Sequence, residues 1–118
     1  MLNNVILIGR LTADPELRHV SGDVPVVNFT LAVDKIRGGE KKANFFRIVA
    51  WRSQAENVAK YLGKGSLVAV EGALDERSYD DKEGLRRNIV EVIANSVQFL
   101  DSKKRRDDSE YAEQDSPF

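Results

Sequence analysis

The chain has 118 residues, 42% of them hydrophobic and 31% charged, with no cysteine and a net charge of -1 at pH 7. That length suits one domain with a single core. The lack of cysteine excludes disulfides and thiolate metal sites, and no apolar run approaches the roughly 18 residues of a membrane-spanning helix. The N-terminal MLNNVILIGRL shows neither a charged leader nor a cleavage site, so no secretory signal is read there. The net charge hides a split: residues 1–106 carry 18 basic and 14 acidic side chains, and residues 107–118 carry 5 acidic and no basic ones. A mildly basic body followed by an acidic segment is more informative than the total.

NVILIGRL (Asn4–Leu11) predicts a first strand, closed by TADP, where Pro15 restricts Asp14. SGD marks a turn before VVNFTLAV, a second strand. Its alternation puts Val27, Phe29, Leu31 and Val33 on the core face and Val26, Asn28, Thr30 and Ala32 on the other. DKIRGGEKKA (Asp34–Ala43) reads as a basic, mobile hairpin loop, and NFFRIVAW (Asn44–Trp51) as a third strand. In SQAENVAKYLGKG the period changes: Ala55, Val58, Ala59 and Leu62 recur at helical spacing. Ser53 and Glu56 suggest a capping box and Gly63 a C-terminal stop. SLVAVEGALDERSY is a fourth strand with a bend or bulge at Gly72. DDKEG is a turn, and LRRNIVEVIANSVQFL is the last strand, broken near Ala94–Asn95. The domain is expected over residues 1–102, with a disordered acidic tail over 103–118.

Five strands and one short helix suit either a small closed barrel or an open antiparallel sheet with the helix across one face. The helix between the third and fourth strands favours the barrel, where it plugs one end.

Alternation divides NFFRIVAW into two sets. Phe46, Ile48 and Ala50 are purely apolar and form the core set. Phe45, Arg47, Val49 and Trp51 mix two aromatic rings with a guanidinium. A buried unpaired arginine is costly, so this face is expected to be partly exposed. Rings and guanidinium groups on one surface are what single-stranded nucleic acid uses, for stacking and for phosphate. The plainer alternative is that Trp51 caps a core edge and Arg47 pairs with a carboxylate. Tyr79, beside Arg77 at the tip of the fourth-strand hairpin, belongs to the same discussion. Arg86 and Arg87 on the returning strand either meet phosphate or offset Asp80, Asp81 and Glu83.

No enzyme site emerges. His19 is the only histidine, which leaves no histidine metal cluster and no relay with a second histidine. GKGS (Gly63–Ser66) lacks the spaced glycine of a phosphate loop and follows a helix instead of opening one. No cofactor and no metal are expected.

GRLTADPELR, NFTLAV, AENVAKYLGKGS and VEGALDER occur in an order that resembles the bacterial single-stranded DNA-binding protein family, over roughly residues 1–100. The resemblance implies an all-β, five-stranded oligonucleotide-binding barrel. It implies non-enzymatic, largely sequence-independent binding and protection of single-stranded DNA in replication, recombination and repair, in the nucleoid-associated cytoplasm. Carried onto this chain, the stacking aromatics are Phe45, Trp51 and Tyr79. A further family aromatic falls at Ile36 or Arg37, where this chain has no ring. Arg10, Lys35, Arg37, Arg47, Arg77, Arg86 and Arg87 are candidate phosphate partners, on physical more than motif grounds. The resemblance also implies a homotetramer, with contacts expected at Asn4, Val5, Leu7 and Gly9. The closing EQDSPF implies recruitment of replication, repair or recombination proteins through Asp115, Pro117 and Phe118. Two alternatives stand beside this reading: a primosome-type protein-interaction module and an RNA-binding barrel.

Overall fold

A computed structural model describes residues 1–101. The expected tail, with Asp115, Pro117 and Phe118, lies outside the described residues. The elements run β1 (Val5–Leu11), β2 (Glu16–Val20), β3 (Val24–Arg37), β4 (Glu40–Trp51), α1 (Ser53–Tyr61), β5 (Leu67–Asp80) and β6 (Arg86–Phe99).

The strands join in the order β1-β5-β6-β4-β3-β2, and a further β1–β3 pairing closes five of them into a barrel. All pairings are antiparallel except β4–β6, where Ile48 lies beside Val92 and Val49 beside Ile93. Closure occurs where Arg10 meets Ala32 and Leu11 meets Leu31. β3 shares one edge between two partners: β2 pairs with its first half and β1 with its second. β2 is a sixth strand that the sequence pattern did not predict. ELRHV has apolar residues only at its second and last positions and lies against β3 outside the closed barrel, so it carries no core alternation.

The core set matches the alternation closely. Val27, Phe29, Leu31, Ile48, Ala50, Val68, Val70 and Val92 fill the barrel, with Phe46 packed against them half-buried. Val26 and Val49, expected on the outer faces of their strands, are also buried. α1 contributes Ala55, Val58 and the following Leu62 to the same cluster, so the helix closes one barrel end.

Three local expectations need correction. The Ser53–Glu56 capping box does not form: Arg52 is the N-cap, without a side-chain cap, and its carbonyl accepts from the Glu56 amide at 3.1 Å. Gly63 is not in the left-handed region. The helix ends instead at extended Leu62, whose N–H donates to the Val58 carbonyl. The basic loop at 34–43 is mostly strand. β3 and β4 pair out to Arg37 and Glu40, leaving only Gly38 and Gly39 as the turn, with φ of 61° and 82°. Two positive-φ residues give the twist of a two-residue hairpin, and glycine supplies it without a Cβ clash. The bend at Gly72 and the break near Asn95 are one irregularity: Glu71 pairs with Ser96 and Gly72 with Ala94, leaving Asn95 as the extra residue.

Candidate nucleic-acid interface

β-Strand parity assembles an outer face across β3, β4, β6 and β5. Thr30 lies opposite Arg47, Asn28 opposite Val49 and Val26 opposite Trp51. Val49 continues to Ile93, and Glu91 lies opposite Asp75. Phe45 is 64% exposed and Trp51 41%. Exposed rings of this size on a sheet face are not serving the core. Phe45, Arg47 and Trp51 thus lie on a partly exposed face, with buried Val49 as the apolar floor between them.

The residue after Trp51 fixes where its ring stands. Arg52 takes a φ of 60° and its backbone N–H donates to the Pro25 carbonyl at 2.8 Å. The chain thus turns sharply from β4 into α1, leaving Trp51 at the rim of a groove of about 310 Å³. That groove is also lined by Arg18, Asn28, Asp75, Arg77, Glu91 and Ile93. A second depression of about 210 Å³, lined by Thr12, Asp14, Thr30 and Arg47, shares Asn28 with the first. Adjoining at Asn28, the two depressions mark a track over the barrel. Asn28 stands at the junction, and with its side-chain amide turned so that the oxygen faces Arg18 it accepts from Arg18 Nη2 at 3.1 Å.

Arg47 and Arg77 converge on one carboxylate. Arg47 Nε donates to Glu91 Oε2 at 2.7 Å, and Arg77 donates from Nε to Oε1 at 3.1 Å and from Nη2 to Oε2 at 3.2 Å. Glu91 is 4% exposed, whereas both arginine side chains remain partly open to solvent. Burial alone pushes the Glu91 carboxyl upward, but hydrogen bonds and charge from Arg77 and then Arg47 outweigh it and hold the group below its ordinary range. The same hydrogen bond, with the Glu91 charge, raises Arg77 further. The plainer alternative for Arg47, a carboxylate partner, is thus met on a face that also stays partly exposed.

Tyr79 lies on the Arg77 side of β5, exposed, with Arg87 as its register partner. It is beyond the groove, on the β5–β6 hairpin. Asp81 organises that hairpin: it accepts from the amides of Glu83 and Leu85, each at 2.9 Å, and from Arg87 Nε at 2.8 Å. Hydrogen bonds from Arg87 first, then from Leu85, hold the Asp81 carboxyl below its ordinary range.

The other predicted basic residues are not gathered on the track. Arg86 has the opposite parity to Tyr79 and faces Asp80 at 3.8 Å. Lys35 and Arg37 alternate out of phase with Phe45, on the other face of the β3–β4 hairpin. Ile36 and its partner Lys41 are in phase with Phe45 instead, and Ile36 is highly exposed. Arg10 faces outward near the closure seam, its Nη1 donating to the Gly65 carbonyl at 2.9 Å and to Asp101 at 3.5 Å.

The expected oligomer contacts also shift. Val5 and Leu7 pack against the core and Gly9 is buried, so these three do not present a contact surface. The outward residues of β1 are Ile6, Ile8 and Arg10, with Ile6 67% and Ile8 54% exposed. Asn4 precedes the strand and is exposed.

Sequence reasoning missed Glu91 and Arg18 as parts of the site. For Glu91 a signal existed: in NIVEVIA a single acid interrupts an apolar strand, and a buried acid needs cations.

A closed five-stranded barrel, plugged by a helix after its third barrel strand and bearing an aromatic–arginine track, defines an oligonucleotide-binding barrel. The single-strand binding protein family model matches residues 2–100, and the chain belongs to that family. It is 55% identical over 106 residues to a single-stranded DNA-binding protein of Halalkalibacterium halodurans, covering 87% of this chain and 63% of that one. It is 52% identical over 110 residues to single-stranded DNA-binding protein 1 of Staphylococcus aureus, covering 91% of this chain and 70% of that one. The chain thus spans somewhat under two thirds of the first relative's length. Among solved structures, the Plasmodium falciparum single-strand binding protein in complex with single-stranded DNA superposes with a TM-score of 0.79 at 30% identity. The match covers 86% of this chain and 96% of that one.

Proposed function

We propose that this chain binds single-stranded DNA along the β3–β4–β6–β5 face, without catalysis and without reading sequence. The observation that carries the reading is the joint exposure of Phe45 and Trp51 beside Arg47 and Arg77 on one strand-parity face. Rings stack on any base, each worth about 1–3 kcal/mol, while guanidinium groups meet phosphate and release counterions. Coating of exposed strands would serve replication, recombination and repair. The family relationship and the likeness to a DNA-bound neighbour support DNA as the ligand.

Titration with poly-thymidine tests this. Trp51 is the only tryptophan, so its fluorescence reports stacking directly. Quenching that weakens as salt rises is expected. Absence of quenching, with unchanged affinity in Trp51→Ala, removes the platform. Competition with RNA of equal length separates DNA binding from the RNA-barrel alternative.

Self-association into a homotetramer belongs to the same proposal, through the outward Ile6 and Ile8 of β1 and the adjoining β5–β6 surface. Recruitment of replication, repair or recombination proteins is assigned to the acidic segment with Asp115, Pro117 and Phe118. A pull-down with and without residues 107–118 tests it, and equal recovery of partners by both forms would exclude the segment.

A further inference from the structure

We infer that Glu91 is a positioning residue for strand binding: its buried carboxylate ties Arg47 and Arg77 into one fixed unit of net charge +1 on the track. This rests on the single-strand reading above. Three strands supply the parts: Arg47 from β4, Glu91 from β6 and Arg77 from β5. Parallel pairing of β4 with β6 brings Arg47 alongside Glu91, and antiparallel pairing of β6 with β5 brings Arg77 within reach.

Both carboxylate oxygens are occupied, Oε2 by two donors and Oε1 by one. Each arginine uses its Nε for the carboxylate, and Arg77 adds Nη2. The two terminal nitrogens of Arg47 and Nη1 of Arg77 make no hydrogen bond among the described residues. The anchored ends are thus committed, and the open ends remain for a ligand.

This anchoring changes binding in two ways. Free arginine side chains lose rotamer freedom when they grip a strand, whereas these two have already lost it on folding. The carboxylate also cancels one of the two cations, so the unit neutralises fewer phosphates and releases fewer of the counterions condensed on the strand. The track therefore binds with a gentler salt dependence than its arginines alone would give, and stacking on Phe45 and Trp51 carries a larger share.

The test uses the full chain and a thymidine oligonucleotide, with log K measured against log salt for the parent, Glu91→Gln and Glu91→Asp. Glu91→Gln is expected to steepen the slope by about 0.7 for each further phosphate neutralised. It is also expected to bind more weakly than the parent at high salt, because the arginines are no longer held. Glu91→Asp keeps the charge but shortens the reach, so it retains the parent slope while losing affinity. Thermal midpoints of all three are recorded alongside. An unchanged slope in Glu91→Gln overturns the proposal, whether affinity is intact or falls only in step with stability, and so does a slope in Glu91→Asp as steep as that of Glu91→Gln. A parent that binds no oligonucleotide overturns the single-strand reading itself, and a binding parent with indifferent variants overturns only the role of Glu91.

Discussion

Gly9 and Ala32 meet backbone to backbone where the barrel closes. A Cβ at position 9 would fall onto the Ala32 carbonyl oxygen, with the Leu31 side chain also at 3.1 Å. Neither carbonyl nor strand can step aside without opening the β1–β3 seam that pairs Arg10 with Ala32 and Leu11 with Leu31. Gly9→Ala is therefore expected to cost about 3 kcal/mol or more, the upper part of the range for overpacking. A lower urea midpoint measures it, and a midpoint equal to the parent's would show that the seam yields.

Trp51 and Phe45 carry a different expectation, because both rings are largely outside the core. Truncating either to alanine should weaken oligonucleotide binding by about 1–3 kcal/mol. Stability should change by about 0.5 kcal/mol or less for Phe45, the more exposed ring. Filter binding or fluorescence anisotropy with a labelled oligonucleotide, paired with thermal unfolding, separates the two effects. A loss of stability equal to the loss of binding would return these rings to the core.

Ile36 marks a place where a platform can be added. It is 76% exposed and in register phase with Phe45 along the β3–β4 hairpin. Ile36→Tyr is expected to tighten binding by about 1 kcal/mol, the low end of a base stack, since the hairpin extends past the barrel. Anisotropy titrations with oligonucleotides of increasing length would register the gain only once the strand reaches this ring. Equal affinity at every length would place the hairpin outside the strand's path.

Much of this site was legible because β4 alternates cleanly. In NFFRIVAW the apolar and mixed sets separate by parity, and that parity assigns the faces of Phe45, Arg47 and Trp51. β1 offered no such handle. In VILI, inward Val5 and Leu7 and outward Ile6 and Ile8 are all aliphatic, so the pattern does not choose a face and the expected contacts fell one residue out of phase. β2 was invisible for the opposite reason: ELRHV has too little apolar character to read as a strand, and β3 alone defines its place. Partnerships across strands are harder still. That Glu91 joins Arg47 and Arg77 depends on a parallel β4–β6 register between strands some forty residues apart, which no local pattern encodes. Arg86 and Lys35 illustrate the same point from the other side: charge located them, but only register showed that they leave the track.

Acid should loosen the cluster around Glu91. Its folded pKa lies below the ordinary 4.5, so the carboxylate contributes stability above that value and loses it as pH falls through the folded pKa. Glu91→Gln removes this contribution. The stability gap between parent and variant is expected to be constant from neutrality down to about pH 5 and to shrink at lower pH. At neutral pH the gap should be about 1–3 kcal/mol, tempered by the solvent exposure of both arginines. Asp81 also titrates low, through Arg87 and the Leu85 amide, but it is present in both proteins and cancels from the difference. Urea unfolding at a series of pH values checks this, and a gap that widens in acid contradicts it.

Ile6 and Ile8 give the self-association proposal a direct test. Both stand outward on β1, and the neighbouring surface continues through Ala69 and Glu71 of β5 to Gln98 and Ser96 of β6. Apolar side chains exposed side by side on one sheet face gain from mutual burial, at about 25 cal/mol per Å² removed from water. The double variant Ile6→Lys with Ile8→Lys places charge on both positions without touching the inward Val5 and Leu7. Light scattering is expected to show a mass that drops from the assembled state toward the 13.2 kDa of one chain. Thermal unfolding of the separated chain should remain cooperative, because every core contact of β1 comes from the other parity. If the mass is unchanged, assembly uses another surface; if the parent already runs as one chain, this face serves no self-association.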